Sequence, residues 1–192
     1  MLGYRAVGGQ GCRASYPVRP LRGCCPFPNR LSGGPVLFAI CFVLVVVLDQ
    51  LTKFWVVHHF ILYESRQIIP GFFHLTYLTN TGAAFGLFAG RPGWLRQVFF
   101  IGVAVIALLA IFFIHRRIKD ISRWYTVSLA LIAGGAVGNL LDRIRLGSVV
   151  DFLDFFIGSH HWPAFNVADS AITVGVAIIL LTNVVFSRRK QE

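Results

Sequence analysis

Residues 124–143 read WYTVSLALIAGGAVGNLLDR, and no charged residue occurs in this stretch before Asp142. A helix needs about 20 predominantly apolar residues to cross the hydrocarbon core of a bilayer. The small residues at 133–136, followed by Gly138, allow neighbouring helices to approach closely in lipid. The stretch therefore predicts a membrane-spanning helix over 124–141, at the centre of a helical bundle.

Three further apolar segments, at 35–57, 95–114 and 167–186, are also long enough to span a membrane. The chain has 192 residues, of which 56% are hydrophobic and only 14% are charged. This composition excludes an ordinary soluble domain. We expect an all-α membrane protein with four transmembrane helices.

The positions of the basic residues predict the orientation of the four spans. Basic residues cluster in the N-terminal tail, between the second and third spans, and at the C-terminus. These regions lie on the same side of a four-span chain, which the positive-inside rule assigns to the cytoplasm. The net charge of +10 is thus explained by topology (N-in, C-in) rather than by nucleic-acid binding.

The two outer connections, at about 58–94 and 142–166, differ from plain linkers. Residues 71–78 are aromatic and β-branched with alternating character, which predicts a strand. Asn80 and Gly82 then favour a tight turn. We expect a small extracytoplasmic β-cradle and an outer loop, with the sheet lying on the membrane surface.

The ends of the chain are expected to be accessory to a four-span domain at 35–187. Residues 1–34 are basic, rich in Gly and Pro, and lack the apolar core of a secretory signal, which predicts a disordered cytoplasmic extension. Residues 188–192 form a basic cytoplasmic tail. The four cysteines do not form a zinc-ligand pattern, and disulfides are not needed to explain them: Cys12, Cys24, Cys25 and Cys41.

Acidic residues are rare, and six of the eight fall at the predicted outer ends of spans or in the outer connections. Carboxylates near hydrocarbon are costly unless they are paired or functional. Asp49 and Lys53 share a helix face at i and i+4, and Asp142 is followed by Arg143, so both acids are interpreted as structural. In the first pair we expect Lys53 to snorkel towards water.

Two other carboxylates are better candidates for chemistry. Asp151 lies between apolar residues after a turn at Gly147, without a basic neighbour, and desolvation raises the pKa of such a group. Asn166 is suited to cap the fourth helix, with Asp169 at the third position, where the helix dipole favours the ionised form. Asp154, three residues after Asp151, is a weaker candidate on what we expect to be the same face.

Other functions compatible with this composition remain open at this stage. A Ser–Lys dyad of Lys53 with Ser148 or Ser170 is one, and a proton-coupled transporter or a membrane scaffold are others. The histidine pairs at 58–59 and 160–161 do not have metal-ligand spacing, so no metal is expected.

Five blocks of the chain, in order, resemble the lipoprotein signal peptidase (signal peptidase II) family over about residues 35–187. They are Asp49-Gln50-Leu51-Thr52-Lys53, Asn80-Thr81-Gly82-Ala83-Ala84-Phe85-Gly86, Gly138-Asn139-Leu140-Leu141-Asp142-Arg143, Val149-Val150-Asp151-Phe152 and Phe165-Asn166-Val167-Ala168-Asp169. The resemblance implies a bacterial aspartic endopeptidase of the cytoplasmic membrane, with its active site on the extracytoplasmic side. Its substrates would be diacylglyceryl-modified prolipoproteins, cut before the lipidated cysteine.

The resemblance also implies roles for particular residues. Asp151 and Asp169 match the family's catalytic pair. Substrate-binding or supporting positions match Asp49, Lys53, Asn80, Gly82, Asn139, Asp142, Arg143 and Asn166. The implied mechanism uses neither a metal nor a cofactor, its partners are the prolipoprotein and membrane lipid, and a monomer is adequate for it.

Overall fold

A computed structural model describes residues 34–82, 93–118 and 122–188. Its helices are α1 (Gly34–His59), α2 (Gly93–Ile118), α3 (Arg123–Leu146) and α4 (Val167–Arg188). All four are long and apolar enough to cross a membrane, which confirms the four predicted spans. The predicted extension at 1–34 and the tail at 188–192 lie almost wholly outside the described residues.

Helix α3 is the centre of the bundle, as its small residues predict. It packs against α1, α2 and α4. A Cβ atom on Gly134 would lie 2.8 Å from Cβ of Val45 in α1, and one on Gly135 would lie 2.4 Å from the carbonyl oxygen of Ala168 in α4. These contacts leave no space for a larger residue, so glycine sets the distance between the helices.

Residues of the connections between α1 and α2 and between α3 and α4 form one antiparallel sheet. Its strands are β1 (Ser65–Ile69), β2 (Phe73–Asn80), β3 (Val149–Ile157) and β4 (His160–His161), in the order β1-β2-β3-β4. The strand predicted at 71–78 is confirmed as β2, displaced by two residues. The sequence predicted no strand after Gly147, but the residues from Val149 to Phe155 pair with β2.

The sheet is joined to the bundle by a small apolar core and by the end of α3. Val56 near the end of α1 and Phe60 directly after this helix pack against Phe152 of β3. Gly147 caps α3 in the left-handed conformation (φ 74°) and donates its N–H to the Arg143 carbonyl at 3.1 Å. This turn sends the chain directly into β3, so Asp151 lies beside the ends of α1, α3 and α4.

Candidate active site

The two predicted catalytic carboxylates face a common polar centre. Asp151 is the third residue of β3 and is only 3% exposed, whereas Asp169 lies in the first turn of α4 and is half-buried. Burial, and secondarily the neighbouring charge of Asp169, raises the pKa of Asp151 to about 6. Hydrogen bonds from the Asn80 and Asn166 side chains partly oppose this rise, as does the charge of Lys53.

Asn166 connects the two carboxylates directly. Its Nδ2 donates to Oδ1 of Asp151 at 2.7 Å, and its Oδ1 accepts the backbone N–H of Asp169 at 2.9 Å. The Asp169 carboxylate accepts the backbone N–H of Asn166 in return, at 3.3 Å, which completes the predicted capping box. Because the amide oxygen is occupied by a backbone donor, the amide nitrogen has to face Asp151.

Asn139 makes the corresponding contact with the other carboxylate. Its Nδ2 donates to Oδ1 of Asp169 at 2.8 Å. Its Oδ1 accepts from Nζ of Lys53 at 3.0 Å and from Nδ2 of Asn166 at 3.2 Å. An ammonium group can only donate, so Lys53 fixes which end of the Asn139 amide faces Asp169.

Lys53 is fully occupied by acceptors. Its ammonium lies 2.8 Å from a carboxylate oxygen of Asp49 and 2.8 Å from one of Asp142, in addition to the Asn139 amide. Three acceptors use all three N–H donors, so this lysine has no role as the base of a Ser–Lys dyad. It is also 3% exposed, so the snorkelling expected from the sequence is wrong: Asp142 draws the side chain inwards.

The two carboxylates that bind Lys53 each hold the backbone beside a candidate catalytic residue. Asp49 accepts the N–H of Ala168 at 2.9 Å, one residue before Asp169. Asp142 accepts the N–H of Val150 at 3.2 Å, one residue before Asp151. Asp142 therefore pairs with Lys53 across two helices, rather than with the adjacent arginine as its position in the sequence suggested.

Arg143 approaches the same centre from α3. Its guanidinium interacts electrostatically with Asp169, Asp151 and Asp142, although Arg143 forms no ion pair within 4.0 Å with any described residue. Its NH1 donates to the Asn139 carbonyl at 3.3 Å. The arginine thus adds positive charge near the two candidate catalytic carboxylates.

Asn80 and Gly82 belong to a turn that borders the site. Oδ1 of Asn80 accepts the N–H of Gly82 at 2.8 Å, which forms the tight turn predicted after β2. Gly82 has a φ of 81°, a left-handed conformation that favours glycine. This turn holds Asn80 near Asp151, where its side chain lowers the pKa of that carboxyl group.

Asp154 does not join the site, contrary to the expectation that it shares a face with Asp151. Residues three apart in a regular strand point to opposite faces of the sheet. The Asp154 carboxylate instead forms a hydrogen bond with Nδ1 of His161 at 2.9 Å and lies 3.7 Å from Nδ1 of His74. In the described part of the chain, no group of three or more His, Cys, Asp or Glu residues is arranged to hold a metal ion.

Residues 41–185 match the family model of signal peptidase (SPase) II. The chain belongs to the signal peptidase II family. It is 50% identical over 148 residues to the lipoprotein signal peptidase of Syntrophus aciditrophicus (strain SB), covering 76% of this chain and 91% of that protein. It is 47% identical over 156 residues to the lipoprotein signal peptidase of Geobacter metallireducens (strain ATCC 53774 / DSM 7210 / GS-15), covering 81% and 95%.

The fold agrees with this family membership. A bacterial membrane enzyme solved by the in meso method at 1.9 Å resolution matches with a TM-score of 0.68 and 31% identity, over 80% of this chain and 94% of that chain. With four membrane-spanning helices, this member of the signal peptidase II family is a multi-pass membrane protein of a peptidase family.

Sequence reasoning assigned no role to two glutamines and a phenylalanine at this site. Gln50 donates to both Asp49 and Asp142, at 3.2 and 3.1 Å, and was visible only as part of the first motif block. Gln97 donates to the Arg143 carbonyl at 2.9 Å. The Phe100 ring lies below the Arg143 guanidinium, 5.1 Å from its central carbon. Neither Gln97 nor Phe100 carries a local sequence signal, since both contacts depend on how α2 packs.

Proposed function

We propose that this protein is an aspartic endopeptidase that removes signal peptides from diacylglyceryl-modified prolipoproteins by cutting before the lipidated cysteine. The observation that best supports the proposal is a pair of carboxylates in different surroundings, Asp151 and Asp169. Each accepts a hydrogen bond from an asparagine amide whose orientation is fixed. Asp151 is the more desolvated member, and its pKa is raised to about 6. Asp169 stands at a helix N-terminus, where the helix dipole is favourable to a negative charge.

This difference assigns a role to each carboxylate. The ionised Asp169 takes a proton from a water molecule as the water oxygen attacks the scissile carbonyl carbon. Asp151 gives its proton to the carbonyl oxygen, which yields a neutral tetrahedral intermediate. On collapse the C–N bond breaks, the leaving amine receives the proton from Asp169, and Asp151 regains its proton. The pair titrates as a unit, so pH–rate limits belong to the dyad.

The remaining polar residues support this reaction. Asn166 and Asn139 each donate to one carboxylate oxygen and so orient the two carboxylates. Lone pairs that these hydrogen bonds do not use remain for the water and for the shared proton. Asp49, Asp142 and Lys53 hold the backbone on which the two catalytic residues stand. The charge of Arg143 favours the singly ionised dyad over the neutral one.

The location of the site supports an extracytoplasmic active centre in the bacterial cytoplasmic membrane. The candidate dyad lies at the end of α3 that carries Asp142, whereas Arg123 stands at the opposite end, close in the sequence to Arg116 and Arg117 of α2. The positive-inside rule places that basic end in the cytoplasm. Exposed apolar side chains along the spans then face lipid, where the diacylglyceryl chains of the substrate also reside.

The test is direct cleavage. The purified protein in detergent micelles is incubated with a diacylglyceryl-modified prolipoprotein, and the products are identified by mass spectrometry. The proposal predicts a free signal peptide and a mature protein whose first residue is the lipidated cysteine. An unmodified precursor serves as control and should remain uncut. Cleavage elsewhere, or equal cleavage of both precursors, contradicts the proposed specificity.

A further inference from the structure

Phe100 of α2 is half-buried and touches two parts of the site that are far apart in the sequence. Its ring centroid lies 5.1 Å from the guanidinium carbon of Arg143. The same ring packs against the turn after β2, since a Cβ atom on Gly82 would lie 2.1 Å from Cε2 of Phe100. A single aromatic ring therefore contacts both the cation of the site and its outer turn.

The backbone of Arg143 is fixed independently of this ring. Its carbonyl oxygen accepts from Nε2 of Gln97 at 2.9 Å and from the N–H of Gly147 at 3.1 Å. The guanidinium is less constrained, since its one hydrogen bond among the described residues is the donation to the Asn139 carbonyl at 3.3 Å. The contact with the ring face is the second constraint on where this charge lies.

The position of this charge affects the dyad electrostatically. Asp151 and Asp169 face the Arg143 guanidinium from β3 and α4, and Asp142 faces it from α3. Lys53 contributes further positive charge from α1, and its own partners are Asp49 and Asp142. The lysine is fixed by three contacts, so the arginine is the cation whose distance from the dyad depends on an aromatic side chain.

We propose that Phe100 is a positioning residue: its ring holds the Arg143 guanidinium in place relative to the Asp151–Asp169 dyad, and it does so against the turn at Gly82. This inference rests on the proposed function, because it assigns Arg143 to the electrostatics of that dyad. Phe100 acts through Arg143 and does not itself touch the reacting atoms.

The test is the pH dependence of kcat/KM for Phe100→Leu. Leucine retains apolar volume but lacks the ring face, so the guanidinium moves away from the dyad and stabilises its ionised state less. Both limbs of the pH profile should then shift to higher pH, by about half a unit. A nearby opposite charge lowers a carboxylate pKa by about 1–3 units, and in this variant the guanidinium is displaced rather than removed. Phe100→Tyr, which keeps the ring, should restore the wild-type limbs.

Phe112→Leu is the matched control. Phe112 lies on the same helix, and its ring is 5.6 Å from the guanidinium carbon of Arg116, so the variant removes the same kind of contact near the opposite end of α2. Its pH limbs should equal those of the wild type. A general loss of packing lowers the active fraction at every pH without moving the limbs, so the profile separates positioning from structure.

Unchanged limbs in Phe100→Leu would overturn the proposal, as would an equal shift in Phe112→Leu. If Phe100→Leu does not fold in micelles, Phe100→Met supplies a flexible side chain of similar volume for the same measurement. Failure of the proposed function is distinguishable, because in that case Asp151→Asn would retain activity whatever the Phe100 variants do.

Discussion

Nζ of Lys53 lies 3.0 Å from Oδ1 of Asn139, and through this contact a buried ion cluster determines what the Asn139 amide presents to Asp169. The same ammonium holds Asp49 and Asp142, which bind the backbone N–H groups of Ala168 and Val150. One lysine on α1 thus organises the approach to both candidate catalytic residues. Apolar residues would cost less to bury than Asp49, Lys53 and Asp142. These charged residues instead supply the hydrogen bonds that position the candidate catalytic residues.

Removal of this lysine should destabilise the protein severely. Lys53→Met leaves Asp49 and Asp142 buried without their cation, and breaking a buried ion pair in this way costs about 3–5 kcal/mol. Thermal unfolding in micelles measures the effect. Glu64→Gln is the control, since it breaks the more exposed pair with Arg66 while keeping an acceptor for the Ile61 N–H. An equally small change in both variants would show that the cluster does not support the fold.

Gly82→Ala should impair activity more than its backbone strain alone explains. The backbone at Gly82 is left-handed, which strains any residue other than glycine. A Cβ atom added there would also lie 2.1 Å from the Phe100 ring, so the ring has to move. Gly71→Ala is the matched control, because Gly71 has a φ of 72° and no atom within 4 Å of the added Cβ. Both substitutions should cost about 1–2 kcal/mol in stability. Only Gly82→Ala should also lower kcat/KM.

Activity should depend on pH in the form of a bell. The dyad has to hold one proton to supply the acid. Burial raises the pKa of Asp151 to about 6, so kcat/KM of the free enzyme should fall once the dyad loses that proton, near this pH. The low-pH limb arises when the second carboxylate of the dyad is protonated and the base is lost. Initial rates of signal-peptide release across this range provide the measurement. A rate that rises steadily to alkaline pH would contradict the assignment of a carboxylic acid.

Asp151→Asn should raise the stability of the protein as it removes the acid. A carboxyl group whose pKa is raised on folding stabilises the folded state only below its unfolded value, and this contribution is lost as pH rises towards the folded value. Above pH 7 the ionised Asp151 therefore opposes folding, by about 1–3 kcal/mol. The asparagine keeps an oxygen for the Asn166 amide, so the variant should unfold at a higher temperature than the wild type at pH 8. A lower unfolding temperature would contradict the burial of an unfavourable charge.

Local patterns in the sequence predicted the spans, the capping box at Asn166 and Asp169, and strand β2. Each of these depends on residues within a few positions of one another. The assignment of β3 could not be made in this way, because the apolar run at 149–157 is compatible with either a strand or a segment at the membrane surface. Without the strand, Asp154 could not be placed on the opposite face from Asp151.

Contacts between helices could not be predicted from local sequence patterns. Asp142 was assigned to its neighbour Arg143, although its partner in the structure is Lys53, 89 positions earlier in the chain. Phe100 gave no signal, because an apolar residue in an apolar span looks like any other until the packing of α2 against α3 is known. The order of the five motif blocks compensated for part of this, since the family resemblance named the site residues before their contacts were visible.

The central claim is that Asp151 and Asp169, and not the other acids of the outer face, perform the chemistry. The most direct measurement is single-turnover release of the signal peptide by Asp151→Asn, Asp169→Asn and Asp154→Asn, each shown to be folded in micelles. Asp154 lies on the same strand as Asp151 but pairs with His161, so its variant matches the charge change without touching the dyad. We predict no detectable cleavage by the first two variants and near-wild-type cleavage by the third. Full activity of either dyad variant would contradict the assignment.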